Sequence, residues 1–410
     1  MEYGKLEKYL SLLAALLMGL SIGIVLCLGS LRSGNLKISA AQPSSESSEE
    51  YAAGIEKYTE IMELVDNYFI GEDVDENVIN DAVASGIISA LGDRWSYYIS
   101  ADEYSTYVDS INNSYVGIGV TISASLDADD NLLGYEIIDV TEGGPADEAG
   151  ILVGDIMVAV EDLPTSEMSV SEVKSLVRGK ENTSVSLTLQ RGDAVLTLDV
   201  ERRSFYVTPA EGEMLRNHTA YIQIDNFDSG CAQTVISLLE DLMAQGAESV
   251  VFDVRNNPGG LKTELTDLLD YLLPEGTIFH SVDYTGAEEI VTSDASCVDI
   301  PMVVLVNADT YSAAEYFACA LQEYDAAEVV GEQTYGKGYY QVGLTLSDGS
   351  CVNLSVGKYY TPSGISLIDV GVTPDYEIVL EDDLAQELLL GTLEADTDPQ
   401  LQQALTLLPD

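Results

Sequence analysis

Met302-Val303-Val304-Leu305-Val306 is an unbroken apolar run bounded by turn formers, and it constrains this 410-residue chain more than any other stretch. A run that short and that uniform reads as a strand buried on both faces. A polar loop, residues 307–311, follows it. Ser312-Ala313-Ala314-Glu315 then opens a segment whose Ala, Phe and Leu residues fit a helix. The same rhythm precedes this unit. Residues 221–224 and 250–254 read as strands and 231–245 as the helix between them, while 261–273 read as a helix entered through Asn256-Asn257-Pro258-Gly259-Gly260. This alternation predicts an α/β core over residues 206–380, a mostly parallel sheet with flanking helices.

Ser312 has an ordinary explanation in this frame, because Ser-Ala-Ala-Glu fits a capping box at a helix start. Lys337, set between Gly336 and Gly338 and followed by Gln341, suggests a chemical one. A serine hydroxyl is a weak nucleophile and needs a base beside it. The chain has only two histidines. His218 precedes a strand and His280 follows Ile278-Phe279, and both read as strand-end residues. A lysine can serve instead, provided burial lowers its pKa until the amine is neutral. Flanking glycines let its backbone run close to other elements. Gln341 can orient the amine without adding charge, whereas an aspartate there would favour the ammonium form.

These residues, in this order and spacing, resemble the Ser-Lys-Gln constellation of the carboxyl-terminal processing peptidases (tail-specific proteases). The likeness extends to Asp253-Val254-Arg255-Asn256-Asn257-Pro258-Gly259-Gly260, Gly331-Glu332, Tyr359-Tyr360-Thr361-Pro362-Ser363-Gly364 and Gly371-Val372-Thr373-Pro374-Asp375, and covers roughly residue 51 to the C-terminus. It implies Ser312 as nucleophile, Lys337 as general base and Gln341 as the residue positioning the lysine. It also implies that a glycine of the Asn-Asn-Pro-Gly-Gly turn and the amide after the nucleophile hold the oxyanion. These carry over to Gly260, with Gly259 as the alternative, and to Ala313. Tyr311 and Ala314 depart from the alternating Ser and Ala frequent in the family, which bears on the packing of this loop.

Residues 113–205 change to short strands with turns: 117–122, 135–140, 156–160, 184–190 and 194–200, with a helix at 171–178. Tyr115-Val116-Gly117-Ile118-Gly119-Val120 is a glycine-rich entry to a strand. Gly144-Pro145-Ala146, Gly150-Ile151 and Gly154-Asp155 resemble a PDZ signature. That resemblance implies a domain that adds a peptide as a strand and holds its terminal carboxylate in a nest of N–H groups, here Gly117, Ile118 and Gly119. Because this loop leads into an apolar strand, an apolar last residue is expected in the peptide.

The N-terminus divides into a polar head (1–8), an apolar segment (9–31) and a spacer (32–50). The apolar segment is long enough to span about 30 Å of hydrocarbon. It exceeds the roughly 7–15 residues of a signal-peptide core, so a retained membrane helix is expected in preference to a cleaved leader ending at Ser39-Ala40-Ala41. Residues 39–50, Ser-Ala-Ala-Gln-Pro-Ser-Ser-Glu-Ser-Ser-Glu-Glu, have no apolar face and read as a flexible spacer. Residues 51–112 show helical spacing broken at Gly92-Asp93, then the aromatic cluster Trp95, Tyr97 and Tyr98. The resemblance implies that this region packs on the core or forms dimer contacts. The tail, 381–410, is acidic, and Asp398-Pro399 is a helix start.

A formal net charge of −53 argues against nucleic acid and anionic membrane surfaces as partners. Cys231, Cys297, Cys319 and Cys351 form no C-x-x-C pair or Cys-His cluster, so no metal and no cofactor is implied. Cys231 and Cys319 fall in helices and are expected as buried thiols. The reading is therefore a membrane-anchored, extracytoplasmic serine endopeptidase acting on proteins with free C-termini. Lys337 should be walled by apolar groups such as Leu305, Phe317 or Tyr335. A non-catalytic PDZ scaffold that captures protein tails is the competing reading. An amidase or esterase on the same dyad would leave the PDZ unit without a purpose.

Overall fold

The structure, a computed structural model, describes residues 45–71, 74–126, 132–141 and 143–409. The expected membrane segment, 9–31, lies outside the described residues, as do the polar head and residues 32–44. Among the described residues, no helix is long and apolar enough to cross a membrane.

Two helices lead, α1 (Ser45–Tyr68) and α2 (Glu76–Ser89). Residues 45–50, expected to be flexible spacer, are instead the first turns of α1. Asp75 caps α2 by accepting from the Asn77 amide. A short strand β1 (Tyr97–Ile99) and helix α3 (Ala101–Ile111) follow. Tyr98 donates to Asp81 at 2.7 Å and so ties β1 back to α2.

Next comes a β-rich unit. Strand β2 (Ser114–Gly117) is followed by β3 (Val120–Leu126), β4 (Leu132–Val140), a short helix α4 (Pro145–Glu148), β5 (Ile156–Val160) and β6 (Leu163–Pro164). Helix α5 (Val170–Val177) opens with a full capping box between Ser169 and Glu172. Then come β7 (Ser184–Arg191), β8 (Ala194–Glu201) and β9 (Arg203–Tyr206). The main sheet runs β3-β4-β5-β7-β8, with β3 at its edge. Ile118, Ile137, Met157, Val173, Leu187 and Leu189 fill its core. Strands β2 and β9 pair antiparallel and close the unit at its base.

The remaining elements are β10 (Ala210–Met214), β11 (Thr219–Ile224), α6 (Cys231–Ala244), β12 (Ser249–Asp253), α7 (Lys262–Leu272), β13 (Gly276–Asp283), β14 (Glu288–Ser293), β15 (Met302–Val306), α8 (Ala313–Glu323), β16 (Ala327–Gly331), β17 (Tyr339–Thr345), β18 (Cys351–Tyr360), β19 (Tyr376–Glu377), α9 (Asp382–Leu389) and α10 (Pro399–Leu407). One sheet has the order β10-β11-β12-β15-β16-β19. Its β11, β12, β15, β16 and β19 are parallel, and β10 is an antiparallel edge. Along β15, Met302, Val304 and Val306 face the core built with α6, α7 and α8, while Val303 and Leu305 face Leu401, Ala404 and Leu408 of the terminal segment. Burial on both faces explains why this strand has no polar residue. The acidic tail thus covers one face of the sheet, and buried Arg255 binds it there, reaching Asp398 at 2.8 Å and Asp253 at 2.5 Å.

The expectation of a single, mostly parallel sheet is corrected by a second sheet of the core. Strands β1, β18, β13 and β14 form it in that order with β17 also on β18, and every pairing is antiparallel. Its strands, such as Tyr339–Thr345, are only partly buried and carry mixed polar and apolar residues, so no uniform apolar run marked them. The thiols of Cys231 and Cys319 are free and buried in α6 and α8.

Candidate active site

The parallel strands β11, β12, β15 and β16 all deliver their C-terminal ends to one region, where open α/β sheets ordinarily place ligands. Side-chain hydrogen bonds fix the loops leaving them. Asn257 donates to the carbonyl of Ile224 at 2.6 Å and Asn307 to Asn256 at 2.7 Å. The hydroxyl of Thr310 donates to the carbonyl of Val254 at 2.7 Å. His218 lies at the opposite end of the sheet, before β11, where its Nδ1 meets the Gly246 carbonyl. His280 lies within β13, its ring 5.4 Å from that of Tyr360. Neither histidine is brought to the loop of Ser312.

Ser312 stands at the head of α8, 2 % exposed, with φ 61° and ψ −124°. This is outside the conformations a non-glycine residue ordinarily adopts, and such strain costs on the order of 1–3 kcal/mol that the surroundings must supply. Its side chain makes no capping hydrogen bond, so the capping-box reading is overturned. Glu315 is turned elsewhere. Its fully buried carboxylate accepts from the Thr334 hydroxyl at 2.5 Å, the Gly336 amide at 2.6 Å and the Lys337 amide at 3.1 Å. The residue three positions after the serine therefore holds the lysine's loop against the serine's helix. Beyond Lys337, the Gly338 amide donates to the Tyr359 hydroxyl at 3.0 Å, and the Ser312 hydroxyl bears on that same phenol. Gly336 (φ +85°) and Gly338 (φ +63°) carry the loop past the backbone of residues 367–371, where a Cβ would come within 3 Å of backbone atoms.

Lys337 is 2 % exposed. Burial drives its pKa down to about 7, against the opposite pull of Glu315 and Asp93. Burial pushes Glu315 up to about 7, opposed by its hydrogen-bond donors and by the lysine. Of the groups expected around Lys337, Tyr335 joins its cover through Trp95, whereas Leu305 and Phe317 lie elsewhere. The Lys337 Nζ lies 4.5 Å from the centroid of Trp95, which meets Tyr335 edge-on at 5.5 Å and Tyr311 at a tilt at 5.8 Å. Leu305 faces the other side of the sheet, and Phe317 packs on Phe227 and Phe252. Tyr311, the departure from the family pattern, is thus part of an aromatic cover. Gln341 is buried on β17, but its amide donates to Ser355 Oγ at 3.1 Å, and among the described residues it has no hydrogen bond to Lys337.

The Asn-Asn-Pro-Gly-Gly turn packs directly on Ser312. A Cβ on Gly259 would lie 2.6 Å from Ser312 Cβ and 2.7 Å from the Ala313 nitrogen. The Gly259 amide is already engaged with Asn257 Oδ1 at 2.8 Å. The amides of Gly260 and Ala313 donate to no hydrogen bond among the described residues. In the β-rich unit, Ile118 is buried and its carbonyl accepts from Ala146, while the Gly119 carbonyl accepts from Thr141. The amides of Ile118 and Gly119 are likewise without acceptors among the described residues, and Gly117 ends β2 just before them. Asp93, Trp95 and Glu315 were not singled out from the sequence as site residues. The first two belong to a leading region read as structural, and Glu315 was read as a cap.

A strained serine at the head of a helix, a buried lysine whose loop is bound to that helix through Glu315, and amides at the adjoining turn without acceptors among the described residues fit a serine-type hydrolase on an α/β core. Peptidase family S41 matches residues 218–378, and a PDZ domain matches residues 136–191. The carboxy-terminal processing protease CtpA of Bacillus subtilis is 32 % identical over 75 % of this chain and 66 % of its own length. A carboxyl-terminal-processing protease of Picosynechococcus is 31 % identical over 78 % of this chain and 77 % of its own. An S41 protease structure from Bacteroides fragilis, 17 % identical, covers 82 % of this chain and 92 % of its own with a TM-score of 0.55, a likeness of fold. The chain belongs to the carboxyl-terminal processing peptidases, serine peptidases of family S41.

Proposed function

We propose that the protein is a membrane-anchored, extracytoplasmic endopeptidase that cleaves other proteins near their C-termini through Ser312 and Lys337. The observation that carries this reading is the grip of Glu315 on the Lys337 loop, which sets a fully buried lysine beside the helix headed by Ser312. The neutral amine takes the proton of Ser312 as Oγ attacks the scissile carbonyl. The oxyanion that forms is held by the amides of Gly260 and Ala313, each worth roughly 3 kcal/mol or more in the transition state. Lys337 returns the proton to the departing amine, leaving an ester on Ser312. Water, deprotonated by Lys337, then attacks the ester and frees the acid and the hydroxyl.

The edge position of β3 and the amides of Ile118 and Gly119, unengaged among the described residues, support capture of a peptide as an added strand, its terminal carboxylate in the Gly117-Ile118-Gly119 loop. The apolar run at residues 9–31 supports a retained anchor, with Lys5 and Lys8 on the cytoplasmic side. The test is incubation of the full-length protein in detergent with unfolded substrates ending in apolar or charged residues, followed by mass spectrometry. Wild type should cut near apolar C-termini, with a rate rising from pH 6 to 8. Lys337→Ala and Ser312→Ala should each cut at least 1000-fold more slowly. Equal cleavage by Lys337→Ala, or a flat rate from pH 6 to 9, would remove the lysine base. Tail binding with no cleavage by wild type would favour the scaffold.

A further inference from the structure

The lysine's cover is built from outside the segment that matches the peptidase family. Residues 218–378 hold Ser312, Lys337, Gln341 and Glu315, but Asp93 and Trp95 come from the stretch between α2 and β1. That stretch is docked by the pairing of Tyr97, Tyr98 and Ile99 with Asn353, Val352 and Cys351 of β18. Its polar groups form one network. The Asp93 carboxylate accepts from the Trp95 amide at 3.1 Å and from the Ser96 hydroxyl at 2.5 Å. Ser96 Oγ in turn accepts from the Ser355 amide at 3.0 Å, and Ser355 Oγ accepts from Gln341 at 3.1 Å. The Ser355 hydroxyl also bears on Asp93. Gln341, which has no hydrogen bond to the lysine among the described residues, is thus linked through Ser355 to Asp93.

We propose that Asp93 is a positioning residue for Lys337, fixing Trp95 over the amine and supplying a counter-charge from the leading segment when the lysine takes the proton of Ser312. This rests on the reading of Lys337 as the base. The other groups facing the lysine do not fill that role. Glu315, on α8, is engaged by Thr334 and two amides of the lysine's own loop. Arg94 lies over the rings of Trp95 and Tyr335, 4.9 and 4.8 Å from their centroids, and carries the wrong sign. Tyr359 is a buried phenol whose pKa burial raises, and burial likewise raises that of Tyr311, so both stay uncharged. Burial disfavours the Asp93 carboxylate, but Ser96, Ser355, the Trp95 amide and the charge of Lys337 together hold its pKa below the ordinary value. It stays ionised wherever the enzyme works.

Asp93 favours the protonated lysine, so neutralising it lowers the pH at which the free base appears and weakens that base. Asp93→Asn in the full-length protein should move the half-maximal pH of kcat down by about one unit. The rate at pH 6, relative to its own plateau, should then rise about fivefold while the plateau itself falls. KM should change little. A purely structural role would lower the rate equally at every pH and leave the midpoint in place, and that outcome would overturn the proposal. Should Asp93→Asn fail to fold, Asp93→Ser reads the same midpoint. Lys337→Ala run in parallel separates the two readings. If it is inactive and the Asp93 midpoint does not move, the inference falls and the lysine base stands. If it still cleaves, the lysine base falls and the inference with it.

Discussion

Replacing Lys337 with methionine should stabilise the protein while destroying its activity. Methionine fills nearly the same length of the buried slot and needs no proton. The lysine's pKa falls from 10.5 to about 7 on folding, because burial outweighs the attraction of Glu315 and Asp93. Between those values the unfolded chain holds a proton that the folded chain has given up, so stability rises with pH across this window. Each pH unit corresponds to about 1.4 kcal/mol. The native state is therefore weaker by about 4–5 kcal/mol at pH 7 and below, about 3 kcal/mol at pH 8.5, and less than about 1 kcal/mol at pH 10. The Lys337→Met substitution removes that cost without loosening the loop, since Glu315 binds it through backbone amides and Thr334. The chain's sole tryptophan, Trp95, sits against the lysine, so its fluorescence during urea unfolding reports on this part of the core. Lys337→Met should show a gain of several kcal/mol at pH 7 that vanishes by pH 10. A variant no more stable than wild type at pH 7, or a gain that is constant with pH, would refute the reasoning.

Two further substitutions test how the site is built. Gly259→Ala places a Cβ 2.6 Å from Ser312 Cβ at φ +93°, so the turn must move away from the serine. We expect kcat to fall by about 100-fold with KM little changed, since amides displaced by an ångström no longer meet the oxyanion. Asp398→Ala removes one carboxylate from buried Arg255 and the cap of α10, which holds the amides of Gln400 and Leu401. Asp253 still pairs with Arg255. The loss should be about 3–4 kcal/mol by urea unfolding, from the broken buried pair and the lost cap.

The parallel half of the core was legible because burial on both faces removes polar residues, and Met302–Val306 carries that imprint directly. The antiparallel half was not. Its strands show one face to partial solvent, and its pairings join β1 to β18 across some 250 residues, a contact that no local pattern encodes. At the site, Lys337 between its glycines stood out in the sequence, while Ser312 was singled out only through its pairing with that lysine, since a cap motif explains it locally. Glu315 was hidden by a cap motif that its spacing satisfies equally well. What decides between the two is Thr334 and the amides beyond it, brought near only by the fold. Trp95 and Asp93 left a fainter trace, a lone tryptophan after a helix break.

A net charge of −53 works against a neutral lysine in principle, yet surface charge and burial act at different ranges. Exposed charges are screened over about 8–10 Å at ordinary ionic strength, so the acidic surface contributes little at a buried amine. Only carboxylates close to the amine matter, and buried Glu315 and half-buried Asp93 are those that bear on Lys337. Both are held by hydroxyl and amide donors that delocalise their charge into the backbone and do not bond the amine. Desolvation then outweighs attraction, and the amine lies near its midpoint at neutral pH. Asp93 remains the charge that favours the ammonium in the proposed transfer from Ser312. On this reading the buried base needs a restrained counter-charge, and the leading segment supplies it. Loss of that segment's docking should therefore disable the lysine while leaving Ser312 and its turn in place.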